Sequence, residues 1–273
     1  MDRSWLARVA GNLALAGFFS AAPAGAQSLA PSTSPSSSPP VWTAAAGYES
    51  FWLRDVARSG RPVDASPMEW RGDGPALIAT YDRERPGRVH HFDASIALAR
   101  GFSLHSPVRT LDAPDGDRAR RLGARYEYRR YPFRNVGLLG LDLGIGAGAD
   151  VEQLVFLRHF APAIDLRSAV LNFGTSAVIA ARLNRSRLDL LATFGNGLSI
   201  GRGTSRHRGE VETKLDGWGG GWQTHLGVHA AVRVHGRTAI VVSYLNSGEG
   251  RFASHDSITF GRSRFTVGAM YER

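Results

Sequence analysis

A two-residue alternation of apolar and polar side chains, broken repeatedly by turn residues, runs from Val41 almost to the end of the chain and limits its fold most. In Phe92-Asp93-Ala94-Ser95-Ile96-Ala97-Leu98, the residues Phe92, Ala94, Ile96 and Leu98 share one face. Leu122–Arg129 sets apolar and aromatic side chains against Arg125, Glu127 and Arg129. Leu139–Ile145 alternates leucine with glycine and aspartate, and Phe265, Val267, Ala269 and Tyr271 repeat the pattern near the end. Successive side chains of a strand point to opposite faces, so each segment has one greasy and one polar side. No helical period is sustained after Val41.

The alternation divides into about ten expected strands, over residues 41–54, 75–84, 88–104, 118–131, 136–148, 167–183, 186–200, 220–234, 237–247 and 258–272. Their connections alternate in length. Tight turns are expected at Arg85-Pro86-Gly87, Tyr131–Asn135, Asn184-Arg185 and His235-Gly236. Long polar loops are expected near 55–74, 105–117, 149–166, 201–219 and 248–257. Aromatic residues recur near strand ends, at Trp42, Trp52, Phe102, Tyr128, Phe173, Trp222, Tyr244 and Tyr271. Long strands, alternating connections and terminal aromatics together define an all-β fold, a transmembrane antiparallel up-and-down β-barrel of about ten strands. A soluble β-sandwich also alternates, with its apolar faces turned inward. It stays open as an alternative, and would make the chain a periplasmic binding protein.

The N-terminus reads as an export signal. Arg3 and Arg8 precede an apolar run from Val9 to Ala22, and Ala24-Gly25-Ala26 supplies a small-residue cleavage site between Ala26 and Gln27. The run is shorter than the roughly 20 residues a membrane helix needs. A Ser/Pro tract over 27–40 cannot bury apolar surface and is expected to be a flexible periplasmic leader. The expected domains are therefore a signal peptide over 1–26, the leader over 27–40, and a barrel over 41–273.

Charge and cysteine usage narrow the function. The formal net charge is +9, and Lys214 is the single lysine, so the cationic surface is almost all arginine. In an exported chain, guanidinium groups suit the phosphates of an envelope lipid rather than nucleic acid. The absence of cysteine excludes disulfides, thiolate metal ligands and a cysteine nucleophile. No cofactor motif is present.

With its signal peptide, its alternating strands and a final strand through Ala269-Met270-Tyr271, the chain resembles the superfamily of Gram-negative outer-membrane β-barrels. That resemblance implies an outer-membrane location and insertion by the barrel-insertion machinery. The chain ends Tyr271-Glu272-Arg273, where such proteins usually end on an aromatic residue. Short turns would face the periplasm and long loops the exterior. Arginines near the outer strand ends (Arg54, Arg58, Arg118, Arg120, Arg202 and Arg206) then lie level with lipopolysaccharide phosphates, and outer-membrane lipid and lipopolysaccharide are the expected partners. Arg121 stands in the same stretch. A monomer is expected.

The inward face carries His91, Asp93, Arg125, Glu127, Arg129, Asp142, Asp189, His225, His229, Arg233 and Arg264. These residues are expected to form a polar network filling a narrow lumen. His225 and His229 are four residues apart, which on a strand separates them by roughly 13 Å, too far to share one metal ion. Two barrel enzymes offer a comparison. Omptin-like surface proteases work with acidic and histidine residues at the outer rim, where this chain has His207, Glu210, Glu212, Asp216, His255 and Asp256. Lipid A deacylases carry a His-x-Ser-Asn element, which Ser243-Tyr244-Leu245-Asn246 resembles with Ser243 and Leu245 in place of the base and nucleophile. His255-Asp256-Ser257 has the His-x-Ser spacing in an expected loop. The sequence thus points to a non-enzymatic barrel, whether structural, a small pore or a surface-interaction protein. A hydrolase acting on lipid A or peptides is the alternative.

Overall fold

A computed structural model describes residues 39–57, 68–105, 110–112, 118–161, 164–208, 213–252 and 256–272. The expected signal peptide, the Ala26/Gln27 junction and nearly all of the leader lie outside the described residues. Eleven strands are seen: β1 (Val41–Ala57), β2 (Met68–Arg85), β3 (Arg88–His105), β4 (Thr110–Asp112), β5 (Arg118–Val136), β6 (Leu141–Ala161), β7 (Ile164–Asn184), β8 (Leu188–Arg208), β9 (Thr213–His235), β10 (Thr238–Phe252) and β11 (Asp256–Glu272). Each wall strand pairs antiparallel with its neighbours. β1 also pairs with β11, and β2 with β3, so the sheet closes on itself. Ten strands form the wall, and β4 is a short addition to the far end of β3. Closure leaves no open sheet edge, which a span through hydrocarbon requires.

The register fixes the barrel's shape. A row of paired residues runs Asp73, Ser50, Ser263, Asn246, Leu226, Phe194, Ile179, Ile145, Arg130 and Arg88. It returns to β2 at Arg85, twelve residues from its start at Asp73. Such an offset around ten strands requires the strands to tilt, in the range of about 35–45° usual for this architecture.

The two faces separate by chemistry. Exposed large apolar residues such as Leu77, Phe92, Ile96, Tyr126, Ile179, Phe194, Leu226, Val242 and Val267 cover the outside, while Glu49, Arg121, Glu127, Arg129, Glu152, His225 and Arg264 are buried inside. A soluble sandwich has the opposite polarity, so the architecture is the transmembrane barrel and not the sandwich. At the short-turn end Trp42 and Tyr81 pack in a tilted contact with ring centroids 4.7 Å apart, and Tyr271 is exposed beside them.

The strands run further than the alternation suggests. β2 begins at Met68, β6 reaches Ala161, β7 begins at Ile164, β8 reaches Arg208 and β9 begins at Thr213. Segments expected as long loops are therefore largely hairpin extensions. Beyond the apolar band neither face needs to be greasy, so the alternation fades although the backbone pairing continues. The expected turn at Tyr131–Asn135 lies within an irregular end of β5, and the chain reverses over 137–140. There Gly137 and Gly140 adopt φ of 69° and 61°, and Asn135 adopts 56°, left-handed values that glycine and asparagine tolerate best.

Candidate functional site

The candidate site is the lumen, built by inward-pointing side chains of all ten wall strands. In its upper part, toward the long connections, Arg121 on β5 meets Glu49 on β1. Its Nε donates to Oε1 at 2.5 Å and its Nη2 to Oε2 at 2.6 Å, and both side chains are almost completely buried. Arg121 Nη1 also donates to Ser95 Oγ at 3.1 Å and lies 3.8 Å from Glu152. Arg262 on β11 pairs with Glu152 on β6. In the strand order these two stand five strands apart in either direction, so their ion pair spans the barrel's diameter. Asn172 donates to Glu249 at 2.8 Å, and Gln223 donates to Asp150 at 2.8 Å, each across three strands.

Midway down, Arg264 contacts Asp93 at 3.2 Å, and Glu127 lies 2.6 Å from Arg125 and 3.5 Å from Arg129. The Arg125 guanidinium rests against the ring of His225, four strands away, with Nη2 2.7 Å from Nδ1. His225 has room because it faces Gly195 on β8, where a Cβ would meet the imidazole ring. Gly123 gives Arg121 room in the same way. Lower still, His91 bonds Asp82 at 2.7 Å and His229 Nδ1 lies 2.9 Å from Ser243 Oγ. The space left among these groups is a cavity of about 180 Å³.

At the short-turn end a second cavity of about 310 Å³ forms the mouth. Arg182 bridges Asp189 at 2.8 Å and Glu84 at 3.0 Å, and Arg233 pairs with Glu272 at 2.8 Å.

Of the residues singled out from sequence, His91, Asp93, Arg125, Glu127, Arg129, His225, His229 and Arg264 line the central cavity. Asp189 and Arg233 line the mouth instead, where Arg233 is exposed. Asp142 lies at the start of β6 and accepts a hydrogen bond from the Asn135 backbone N–H at 3.0 Å, which ties down the turn rather than filling the lumen. His225 and His229 contact different partners. Arg121, grouped in the sequence with the rim, is buried in the lumen. Glu49, Glu152, Glu249, Asn172 and Arg262 are lumen residues that sequence reasoning misses. Parity carries a signal for Arg121, which shares its strand face with Gly123, Arg125 and Glu127. Glu152 falls in a segment whose alternation has faded into an apparent loop.

Among the rim arginines, Arg118, Arg120 and Arg202 are exposed at the long-connection ends of β5 and β8. Arg54 and Arg206 occupy strand positions there, with side chains outside the described set, and Arg58 lies outside the described residues. Glu210, Glu212 and His255 also lie outside the described residues, as do the side chains of His207, Asp216, Asp256 and Ser257. In the deacylase-like segment, Ser243 faces the lumen while Tyr244 and Asn246 face outward, with Asn246 donating to Ser263 at 3.0 Å. Among the described residues no carboxylate bonds the second ring nitrogen of His229, so His229 and Ser243 make a pair and not a triad.

Fold and lumen together define a closed ten-stranded antiparallel β-barrel with an apolar outer face and a charge-packed interior. The chain is similar to the outer-membrane protease OmpT from Escherichia coli, with a TM-score of 0.69 at 11% identity over 90% of this chain and 99% of that one. It is also matched to the translocator domain of the autotransporter NalP from Neisseria meningitidis (TM-score 0.41, 8% identity, 88% and 90% coverage). A third match is the outer membrane protein OprG from Pseudomonas aeruginosa (0.40, 8%, 86% and 97%). At these identities the likeness is one of fold alone. No protein-family model matches the chain, and no curated protein does.

Proposed function

We propose that this protein is a sealed barrel of the bacterial outer membrane with a structural or surface-contact role, held in the outer leaflet by arginines of its long-connection end. The reading rests on the lumen: the Arg262–Glu152 pair crosses the full diameter and Arg121–Glu49 fills the space beside it. Charges paired in this way hold a plug in place, because separating them would strand each one in a region of low dielectric. A small water-filled pore is the weaker reading for the same reason. Export with cleavage before Gln27, insertion by the barrel machinery and a monomeric state belong to this proposal. So does lipopolysaccharide contact through Arg118, Arg120 and Arg202, whose exposed guanidinium groups suit bidentate phosphate binding.

The deciding experiment is conductance in planar bilayers. The parent protein is expected to be silent, and the double variant Glu152→Ala/Arg262→Ala, which clears the diametric pair, is expected to show small channel events. Steady channels from the parent would overturn the sealed reading. Lipopolysaccharide retention through purification is expected to fall in Arg118→Gln/Arg120→Gln/Arg202→Gln, and unchanged retention would remove that contact.

A further inference from the structure

The outer surface at the short-turn end carries a cluster of arginines that the lumen and the long-connection rim leave unused. Arg83 and Arg85 on β2, Arg88 on β3, and Arg130 and Arg134 on β5 are all exposed. Arg85 is registered opposite Arg88, and Arg88 opposite Arg130. Three arginines thus stand in one register row on adjacent strands, whose backbones are about 5 Å apart. Arg134 reaches the same place from the end of β5, its Nη2 lying where a Cβ on Gly87 would come within 3.2 Å. The turn holding Gly87 is fixed to β5 by the Tyr131 N–H donating to the Gly87 carbonyl at 2.9 Å.

Among the described residues no protein group neutralises this cluster. Nearby carboxylates are engaged elsewhere: Asp82 with His91, Glu84 and Asp189 with Arg182, Glu272 with Arg233, and Asp142 with the Asn135 backbone. None of the five arginines has an ion pair among the described residues. Like charges set directly opposite each other in a sheet are destabilising, so such a row needs an external counter-ion.

Depth indicates which counter-ion. On each of the three strands the arginines follow an outward aromatic: Tyr81 before Arg83, Phe92 and His90 before Arg88 in space, and Tyr128 before Arg130. His90 bonds the Tyr126 hydroxyl at 2.8 Å and packs on Tyr128. Tyr81 packs against Trp42 in a tilted contact. Aromatic belts mark the boundary between hydrocarbon and headgroups, which sets the arginine row at the level of lipid phosphates.

We infer that Arg85, Arg88 and Arg130, flanked by Arg83 and Arg134, form a binding site for the phosphodiester headgroups of anionic phospholipid in the periplasmic leaflet. Guanidinium forks match phosphate oxygens in bidentate fashion, and a row of three suits a lipid carrying two phosphates better than one. The site lies at the opposite end from the arginines assigned to lipopolysaccharide. It does not depend on whether the lumen is sealed.

The test uses the full-length protein folded in neutral detergent and titrated with diphosphatidylglycerol, phosphatidylglycerol, phosphatidylcholine or lipid A. Bound lipid is counted by native mass spectrometry, and thermal unfolding is followed in parallel. The parent is expected to retain diphosphatidylglycerol most strongly, then phosphatidylglycerol, with little phosphatidylcholine. In Arg85→Gln/Arg88→Gln/Arg130→Gln the apparent affinity for diphosphatidylglycerol is expected to fall at least tenfold, while Arg118→Gln/Arg120→Gln leaves it unchanged. Without anionic lipid, the triple glutamine variant is expected to melt no lower than the parent, since it has lost a repulsion; this separates lost binding from lost folding. Equal retention by the triple variant and the parent would overturn the site. An equal loss of lipid A and of diphosphatidylglycerol in the triple variant, or a parent preference for phosphatidylcholine over diphosphatidylglycerol, would overturn its assignment to anionic phospholipid.

Discussion

Arg121 shows how much rests on single buried charges here. It holds Glu49 through two short hydrogen bonds, with 1% and 0% of the two side chains exposed. Removing one partner leaves the other charged and unpaired, at a cost of about 3–5 kcal/mol, whereas replacing both with apolar groups of similar size is often neutral. Glu49→Gln is therefore expected to lower the urea midpoint of the folded barrel, and Glu49→Gln/Arg121→Met to recover most of the loss. Additive losses in the double variant would show that the two side chains do not act as a pair. Gly195 gives a second residue-scale prediction. A valine there drives into the His225 ring and is expected to cost about 1–3 kcal/mol by overpacking, read as faster unfolding in denaturant.

At the scale of the element, each strand is a two-sided object whose faces obey different rules. On β7, Ile179 faces outward and is 50% exposed, while Ser176 faces inward and is 6% exposed. Ile179→Arg places a charge against hydrocarbon and is expected to cost about 2–4 kcal/mol near the middle of the membrane. Ser176→Ala removes a hydroxyl that has no hydrogen-bond partner among the described residues, so it is expected to leave stability within about 0.5 kcal/mol. Refolding yield into lipid vesicles measures both changes. Equal losses would mean that the assigned faces are wrong.

For the whole molecule, closure is the property that matters. Every wall strand is paired on both sides, so the barrel has no frayed edge from which to unfold. An unboiled sample in dodecyl sulfate is expected to migrate as a compact species and to shift only on heating. A sample that runs at one position with or without boiling would contradict the closed sheet. The twelve-residue offset and the number of strands together set a narrow interior, which the paired charges fill.

The alternation by itself determined that the chain makes about ten strands with one apolar face each, while closure into a barrel with those faces outward was decided by the tertiary structure. The strands and their faces are local consequences of a backbone whose side chains point alternately to two sides. Parity also placed Asp93, Glu127, His225 and Arg264 on the inner face before any contact was known. The sequence could not say which of these charges meet, because Glu152 and Arg262 are 110 residues apart and become neighbours only when the barrel closes. It also hid the ends of the strands, since outside the apolar band the pairing persists without an apolar face to reveal it. Asp142 and Arg233 had the right parity, but their height along the tilted strands put them at the turn and the mouth. Height is set by tilt and offset, quantities that belong to the closed sheet and to no single segment.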